Sequence, residues 1–183
     1  MPNVAIRVRP ATHGDAAALA GLAERTFRAT FAAFNSPANM DAHCAQAYGE
    51  SIQAFEIASP AMQTFVSDDR GGLAGYCQLR WAGAPGCVTA RRPAELQRIY
   101  VDGDYHGRGV AQALMSQVLA AAASGGADVV WLGVWENNPR AIAFYRKLGF
   151  ERVGEHVFRV GDDPQTDWIM SRDIVGRVDG PAR

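Results

Sequence analysis

Cysteine is scarce. The chain has three, Cys44, Cys77 and Cys87, among 183 residues. The number is odd and no C-x-x-C or Cys/His cluster occurs, which argues against a disulfide framework and against a zinc site; no metal is expected. An excess of one charge is also missing: 18 Lys and Arg face 19 Asp and Glu, for a formal net charge of -1. Without a basic footprint there is no case for a nucleic-acid partner. No segment approaches the roughly 20 apolar residues that span a bilayer. Met1 to Pro10 carries Arg7 and Arg9 but no long apolar run, so it does not read as a signal peptide. No membrane partner is expected, and the cytoplasm is the expected compartment. Internal repeats and low-complexity tracts are absent too.

What is present is an ordinary globular composition, 48% hydrophobic and 20% charged, in a chain long enough to bury one sizeable core. Val4 to Val8 reads as a first strand stopped by Pro10. Thr12 and Asp15 resemble a capping box. Behind them Leu19, Leu22, Ala23, Thr26, Phe27 and Phe31 form one helical stripe. Asn35-Ser36-Pro37 breaks that helix, and Met40 to Ala58 reads as one or two short helices. Gln63 to Ser67 and Leu73 to Trp81 form a hairpin, and Ala82 to Pro93 a loop. Then come a strand at Leu96 to Val101, a helix at Val110 to Ala123, and an apolar, central strand at Val129 to Trp135. A helix from Pro139 to the cap Gly149 comes next. Phe150 to Val160 and Thr166 to Met170 close the chain as a hairpin around Gly161-Asp162-Asp163-Pro164. This order predicts one α/β domain over 1–174, with a mixed sheet and a loose tail over 175–183.

The chemistry is concentrated at Tyr105-His106-Gly107-Arg108-Gly109-Val110-Ala111. A strand runs into a turn with two glycines and then into a helix. The glycines let the backbone approach a ligand, and the unpaired N–H groups of the first helical turn favour an anion. The string for a nucleoside-triphosphate loop, G-x-x-x-x-G-K-[ST], is absent. A dinucleotide fingerprint starting at Gly107 fails because its third small position is Gln112. A bland strand-to-helix turn remains the alternative.

About thirty residues on, Asn138, Ala141 and Tyr145 share one helix face at spacing i, i+3, i+7. That face can line a cleft between the Val129 to Trp135 and Leu96 to Val101 strands. Asn138 is equally a good helix cap, and Tyr145 lies in an apolar stripe with Phe144 and Leu148.

His106-Gly107-Arg108-Gly109-Val110-Ala111 resembles motif A of the GNAT N-acetyltransferase superfamily, which binds the pyrophosphate of acetyl-CoA; His106 stands where relatives more often carry Gln or Arg. Thr26 to Phe31, Asn35 to Met40, Gln97 to Val101, Trp131 to Glu136 and Gly161 to Asp167 are similar to the bacterial PaiA-type polyamine N-acetyltransferases. The resemblance implies a single-domain GNAT fold, with a central sheet of about seven strands flanked by about four helices. It also implies acetyl-CoA as co-substrate and direct acetyl transfer to a small primary amine such as spermidine or spermine, through a tetrahedral intermediate. Some members of that group were first described as negative regulators of sporulation and protease synthesis.

The residues then expected to hold the co-substrate are Ile99, Tyr100, Val101, His106, Gly107, Arg108, Gly109, Val110, Ala111, Asn138, Tyr145 and Lys147. Phe31, Trp135 and Glu136 are expected at the acceptor. The chemistry sets three requirements. An amine of pKa ~10.4 must lose its proton, which at pH 7 costs about 4.6 kcal/mol. The developing oxyanion needs a donor, which the resemblance implies is a backbone N–H of Ile99 to Val101 on the Leu96 to Val101 strand. The leaving thiolate needs a donor, for which Tyr145 is the candidate through a hydrogen bond that strengthens as charge develops. Glu95 is the expected base, directly or through water, with a solvated carboxylate as its competing reading. Gln97, on the same side of a regular pleat, is an amide and cannot accept a proton. Glu136, His106 and the Tyr100 hydroxyl are further candidates, and Asp41, Asp163 and Asp167 further acids for a polyamine groove. Acetylation of another small amine or of a protein N-terminus, and a non-catalytic acetyl-CoA-binding regulator, remain as rivals. A homodimer is compatible with the chain and not required by it.

Overall fold

Strands separated by tight turns pair antiparallel, while a strand–helix–strand crossover gives a parallel pair, and both patterns occur here. The computed structural model describes residues 6–69 and 72–174. Seven strands form one sheet: β1 (Arg7–Pro10), β2 (Met62–Asp69), β3 (Gly72–Arg80), β4 (Pro93–Val101), β5 (Val129–Trp135), β6 (Glu151–Val160) and β7 (Asp163–Asp173). Their order is β1-β2-β3-β4-β5-β7-β6. Only β4 and β5 are parallel, joined by the helix α4 (Val110–Ser124).

The other helices are α1 (Ala16–Phe31), α2 (Pro37–Ala47), α3 (Glu50–Ala58) and α5 (Pro139–Lys147). The described residues thus hold five α-helices, in line with the expected fold. The segment Met40 to Ala58 divides because Ser36 caps an earlier start, its Oγ accepting from the Asn39 N–H at 3.2 Å, and Tyr48-Gly49 interrupts the helical path after Ala47. Pro10 is the last residue of β1 rather than its stop, which an edge strand tolerates. Val4 and Ala5, and the tail from Val175, lie outside the described residues.

Side chains alternate across the sheet and build two layers. Val130, Leu132 and Val134 of β5 meet Val110, Leu114, Met115, Val118 and Ala122 of α4, with Ile142 and Tyr145 of α5. On the other face Tyr76 and Val66 meet the α1 stripe, Leu19, Leu22, Ala23, Phe27 and Phe31. Truncating a fully buried leucine such as Leu114 to alanine costs about 2–5 kcal/mol in such a core. Gly75 lets α4 press close to the sheet, since a Cβ there would stand 3.1 Å from both Leu114 and Val110.

Two irregularities in β4 open the sheet. Its pairing with β5 covers only Pro93 to Glu95 against Val129 to Trp131, and the strands part beyond. Its pairing with β3 shifts where Leu79 faces Leu96 and Gln78 faces Arg98, leaving Gln97 as the extra residue of a β-bulge. The regular alternation expected to put Glu95 and Gln97 on one side is therefore broken.

Candidate active site

Where β4 and β5 part, a cavity of about 960 Å³ runs from the glycine turn across the sheet to the α1 side. Ile99, Tyr100, Val101, His106, Gly107, Gly109, Val110, Ala111, Asn138 and Tyr145 all line it, as do Glu95, Phe31 and Trp135. The turn and the α5 face, distant in sequence, thus converge on one space.

At the turn end, Gly107 and Gly109 adopt φ of 75° and 84°, a region that L side chains seldom enter. A Cβ on Gly107 would meet no atom within 4 Å, so the backbone there borders open space. The first ladder bond of α4 is Ala113 N–H to Gly109 O at 3.0 Å, so the N–H groups of Val110, Ala111 and Gln112 have no partner within the helix. His106 is held at both ring nitrogens: Nε2 lies 3.0 Å from the Val101 carbonyl and Nδ1 lies 3.1 Å from Nη1 of Arg140. A carbonyl only accepts and a guanidinium only donates. The two contacts fit the tautomer that donates from Nε2 and accepts at Nδ1, so both ring nitrogens are engaged. Asn138 keeps both of its readings: its Oδ1 accepts from the Ala141 N–H at 3.1 Å as a cap, and the residue lines the cavity.

Tyr145 is 8% exposed, packed against Phe144 and Phe150 and also on the cavity wall. Burial pushes its phenol above the ordinary value, so it is a weaker acid than free tyrosine. Beyond Glu95 the edge of β4 that faces β5 has no strand partner among the described residues, so backbone groups of Leu96 to Val101 are offered to the cavity.

Three expected residues stand away from it. Arg108 stacks over the Tyr105 ring at 5.4 Å, and its N–H is taken by the Tyr105 carbonyl. Lys147 and Glu136 are exposed and off the cavity wall. Glu95 is not a solvated carboxylate: it is 9% exposed and bound to Arg80, whose Nε donates at 2.7 Å. The carboxylate is therefore already engaged by a guanidinium rather than free in the cavity.

Pairing sets the charge along the cavity. Arg25 is bound to Asp102, Arg80 to Glu95, and Arg98 to Glu56 at 2.8 Å. Arg140 faces only His106, and no carboxylate pairs with it among the described residues. Sequence reasoning passed over Arg140, although its place in the first turn of α5, two residues after Asn138, was a usable signal. At the other end, on the α1 face, Asp167 of β7 lies 3.7 Å from Nε2 of His156 on β6. Phe31 and Trp135 stack nearby at 5.6 Å. Among the described residues no cluster of His, Cys, Asp or Glu has the makings of a metal site, and no helix is long and apolar enough to cross a membrane.

Comparison with known proteins agrees with this geometry. The model of the acetyltransferase (GNAT) family matches residues 24–150. A protein of Mycobacterium bovis described as an uncharacterized N-acetyltransferase is 34% identical over 161 residues, 88% of this chain and 99% of the relative. One from Lactobacillus delbrueckii subsp. lactis is 30% identical over 170 residues, 93% of this chain and 98% of the relative. The crystal structure of a PaiA N-acetyltransferase from Thermoplasma acidophilum, in complex with coenzyme A, superposes with TM-score 0.73 at 20% identity, covering 93% of this chain and 99% of that one. The chain belongs to the GNAT family. It is an acetyl-CoA-dependent N-acetyltransferase.

Proposed function

We propose that the chain acetylates a small, cationic primary amine of the polyamine class. One observation carries this reading: charge is partitioned along a single cavity. Arg140 and the free N–H groups of α4 make one end electropositive, and Asp167 beside an aromatic wall makes the other electronegative. An extended anionic donor and a cationic acceptor entering from opposite faces would each meet the complementary end.

Bound acetyl-CoA supplies an activated acetyl group on a thioester. The chain's residues do the rest. The N–H groups of Val110, Ala111 and Gln112, with the Arg140 guanidinium, bind the pyrophosphate. The unpaired edge of β4 orients the pantetheine arm and presents an N–H where negative charge builds on the carbonyl oxygen. Tyr145 donates a hydrogen bond toward the departing sulfur. Because burial weakens its acidity, that bond strengthens with developing charge rather than handing over its own proton early. Phe31, Tyr100 and Trp135 offer apolar walls and ring faces to methylenes and ammonium groups. Glu136, Lys147 and Arg108 are given no contact with the ligands in this reading, because none of them lines the cavity. The three cysteines are free, which supports a reducing cytoplasmic setting.

The test is a panel of primary amines, including spermidine, spermine, monoamines and a peptide with a free N-terminus, read by thiol release. Preferential turnover of polyamines is expected. Rapid turnover of the peptide or of a neutral acceptor, with spermidine inert, would reject the polyamine assignment, and acetyl-CoA binding without thiol release across the panel would reject catalysis.

A further inference from the structure

Gly133 of β5 has no side chain, and two side chains fill the space over it. A Cβ built there would stand 3.2 Å from Nε2 of His156 and 3.3 Å from Oδ2 of Asp167. Gly133 lies two residues past the last β4–β5 pair, Glu95 with Trp131, so this spot is at the mouth of the opening between the strands. In register Asp167 faces Trp135 on one side and His156 on the other, and its carboxylate leans diagonally over the glycine. The Asp167 side chain is 12% exposed and that of His156 42%. One group is sequestered in the cavity and its neighbour reaches water.

We propose that Asp167 is the proton acceptor of the acetyl transfer, taking a proton from the acceptor ammonium and passing it to solvent at the mouth beside His156. The inference rests on the amine-acetylation reading above. An N–H bond of the ammonium breaks and an O–H bond forms on Asp167, which leaves the nitrogen lone pair free to attack. Asp167 then gives that proton up to water at the mouth of the cavity, where half-exposed His156 stands beside it. The second proton leaves the nitrogen as the amide forms and ends on the thiol. The sum, ammonium plus thioester giving amide, thiol and one proton, balances.

The surroundings suit the role. Among the described residues no guanidinium or ammonium pairs with Asp167. The groups that act on it are His156 from β6, which pulls its pKa down, and Glu136 after β5, which pushes it up. Tyr100 of β4 faces it as a neutral phenol. Burial outweighs these and sets the carboxyl at about 6. A base poised there is ionised at neutral pH yet basic enough to share a proton with an ammonium. Glu95, clamped by Arg80, and His106, occupied at both nitrogens, lack that freedom.

The experiment compares wild type with Asp167→Asn by thiol release as a function of pH. Spermidine is the acceptor or, where the wild type prefers another amine of the panel, that amine. Folding is checked by circular dichroism and acetyl-CoA binding by calorimetry. Wild-type kcat/KM is expected to level off above about pH 7, while the variant falls by roughly 10²–10⁴-fold at neutral pH. The variant should then climb about tenfold per pH unit toward the amine pKa, because only pre-formed free base reacts. A folded Asp167→Asn that binds acetyl-CoA and keeps the wild-type level and plateau overturns the inference while leaving the amine reading intact. Should that variant not fold, His156→Asn decides: loss of the imidazole must move the acid limb to higher pH, and an unmoved limb overturns the proposal. A wild type that releases no thiol with any amine rejects the functional reading and this inference together.

Discussion

Arg140 and His106 meet across the entrance of the cavity, with Nη1 of the guanidinium 3.1 Å from Nδ1 of the imidazole. The contact ties the first turn of α5 to the glycine turn before α4, and through Nε2 to the carbonyl of Val101 at the end of β4. Three segments that each line the cavity are thereby fixed to one another. The histidine is acting as a spacer that orients a cation without neutralising it.

Arg140→Ala should therefore weaken the donor site more than the chemistry. The expected outcome is a rise in the acetyl-CoA KM of tenfold or more, about 1.4 kcal/mol, with kcat changed less. His106→Gln should be milder, because an amide can still accept from Arg140 and donate to Val101. Titration calorimetry with acetyl-CoA, beside steady-state kinetics, measures both. An unchanged KM in Arg140→Ala would detach this residue from the pyrophosphate.

Gly107 gives a sharper test of the cradle. Its φ of 75° strains any L residue, and the space a Cβ would enter is empty and borders the cavity. Alanine there should cost about 1–2 kcal/mol of stability for the left-handed backbone. It should also cost acetyl-CoA affinity, because the methyl occupies room the ligand backbone contact needs. Gly83, where a Cβ would meet no atom within 4 Å and which is off the cavity wall, is the control: alanine there should leave affinity untouched. Thermal melts with and without acetyl-CoA separate the two effects.

Tyr145→Phe isolates the hydroxyl from the ring. The ring packs in the core between Phe144 and Phe150, and phenylalanine preserves that packing. Turnover should fall by more than tenfold while the melting temperature and acetyl-CoA affinity stay near wild type. Since burial already raises the phenol, no limb of the wild-type pH profile near neutrality should belong to it. Equal turnover in the variant would leave Tyr145 as a core residue alone.

The convergence of the glycine turn with the Asn138–Tyr145 face was legible because both signals are local. A turn with two glycines before an apolar period, and a capped helix with one aromatic face, are each written within about ten residues. The hairpins and the α1 stripe were legible for the same reason. What joins them is not local. Neither the parting of β4 from β5 after Glu95 nor the bulge at Gln97 has a residue signature, because both arise from pairing with partners elsewhere in the chain. The bulge is why a strict pleat misplaced Glu95 relative to Gln97. Asp167 and His156 were separated by a further error: Pro164 reads as a turn residue, yet it pairs with Arg159 in β7. It is tolerated there because β5 ends opposite Asp167, so no strand on that side needs the missing N–H. Counting outward from the tighter turn at Gly161-Asp162 puts His156 against Asp167.

Asp167 also links activity to stability, with a sign that can be checked. Its carboxyl is raised from 3.8 to about 6 in the fold, chiefly by burial, so the folded state favours the protonated form. The stabilisation from that proton is full below the unfolded value near 4 and is lost as pH rises through about 6. Above that the fold carries a buried charge. Asp167→Asn removes the ionisation and keeps the shape. The variant is expected to be more stable than wild type at pH 8 by roughly 2 kcal/mol, the linkage cost of ionising a buried carboxyl that partly reaches solvent. The gap should close near pH 4, where both side chains are neutral. Urea denaturation at the two pH values measures it. A variant less stable than wild type at pH 8 would mean that His156 holds the carboxylate more firmly than burial opposes it, and that Asp167 is an ion-pair partner rather than a poised base.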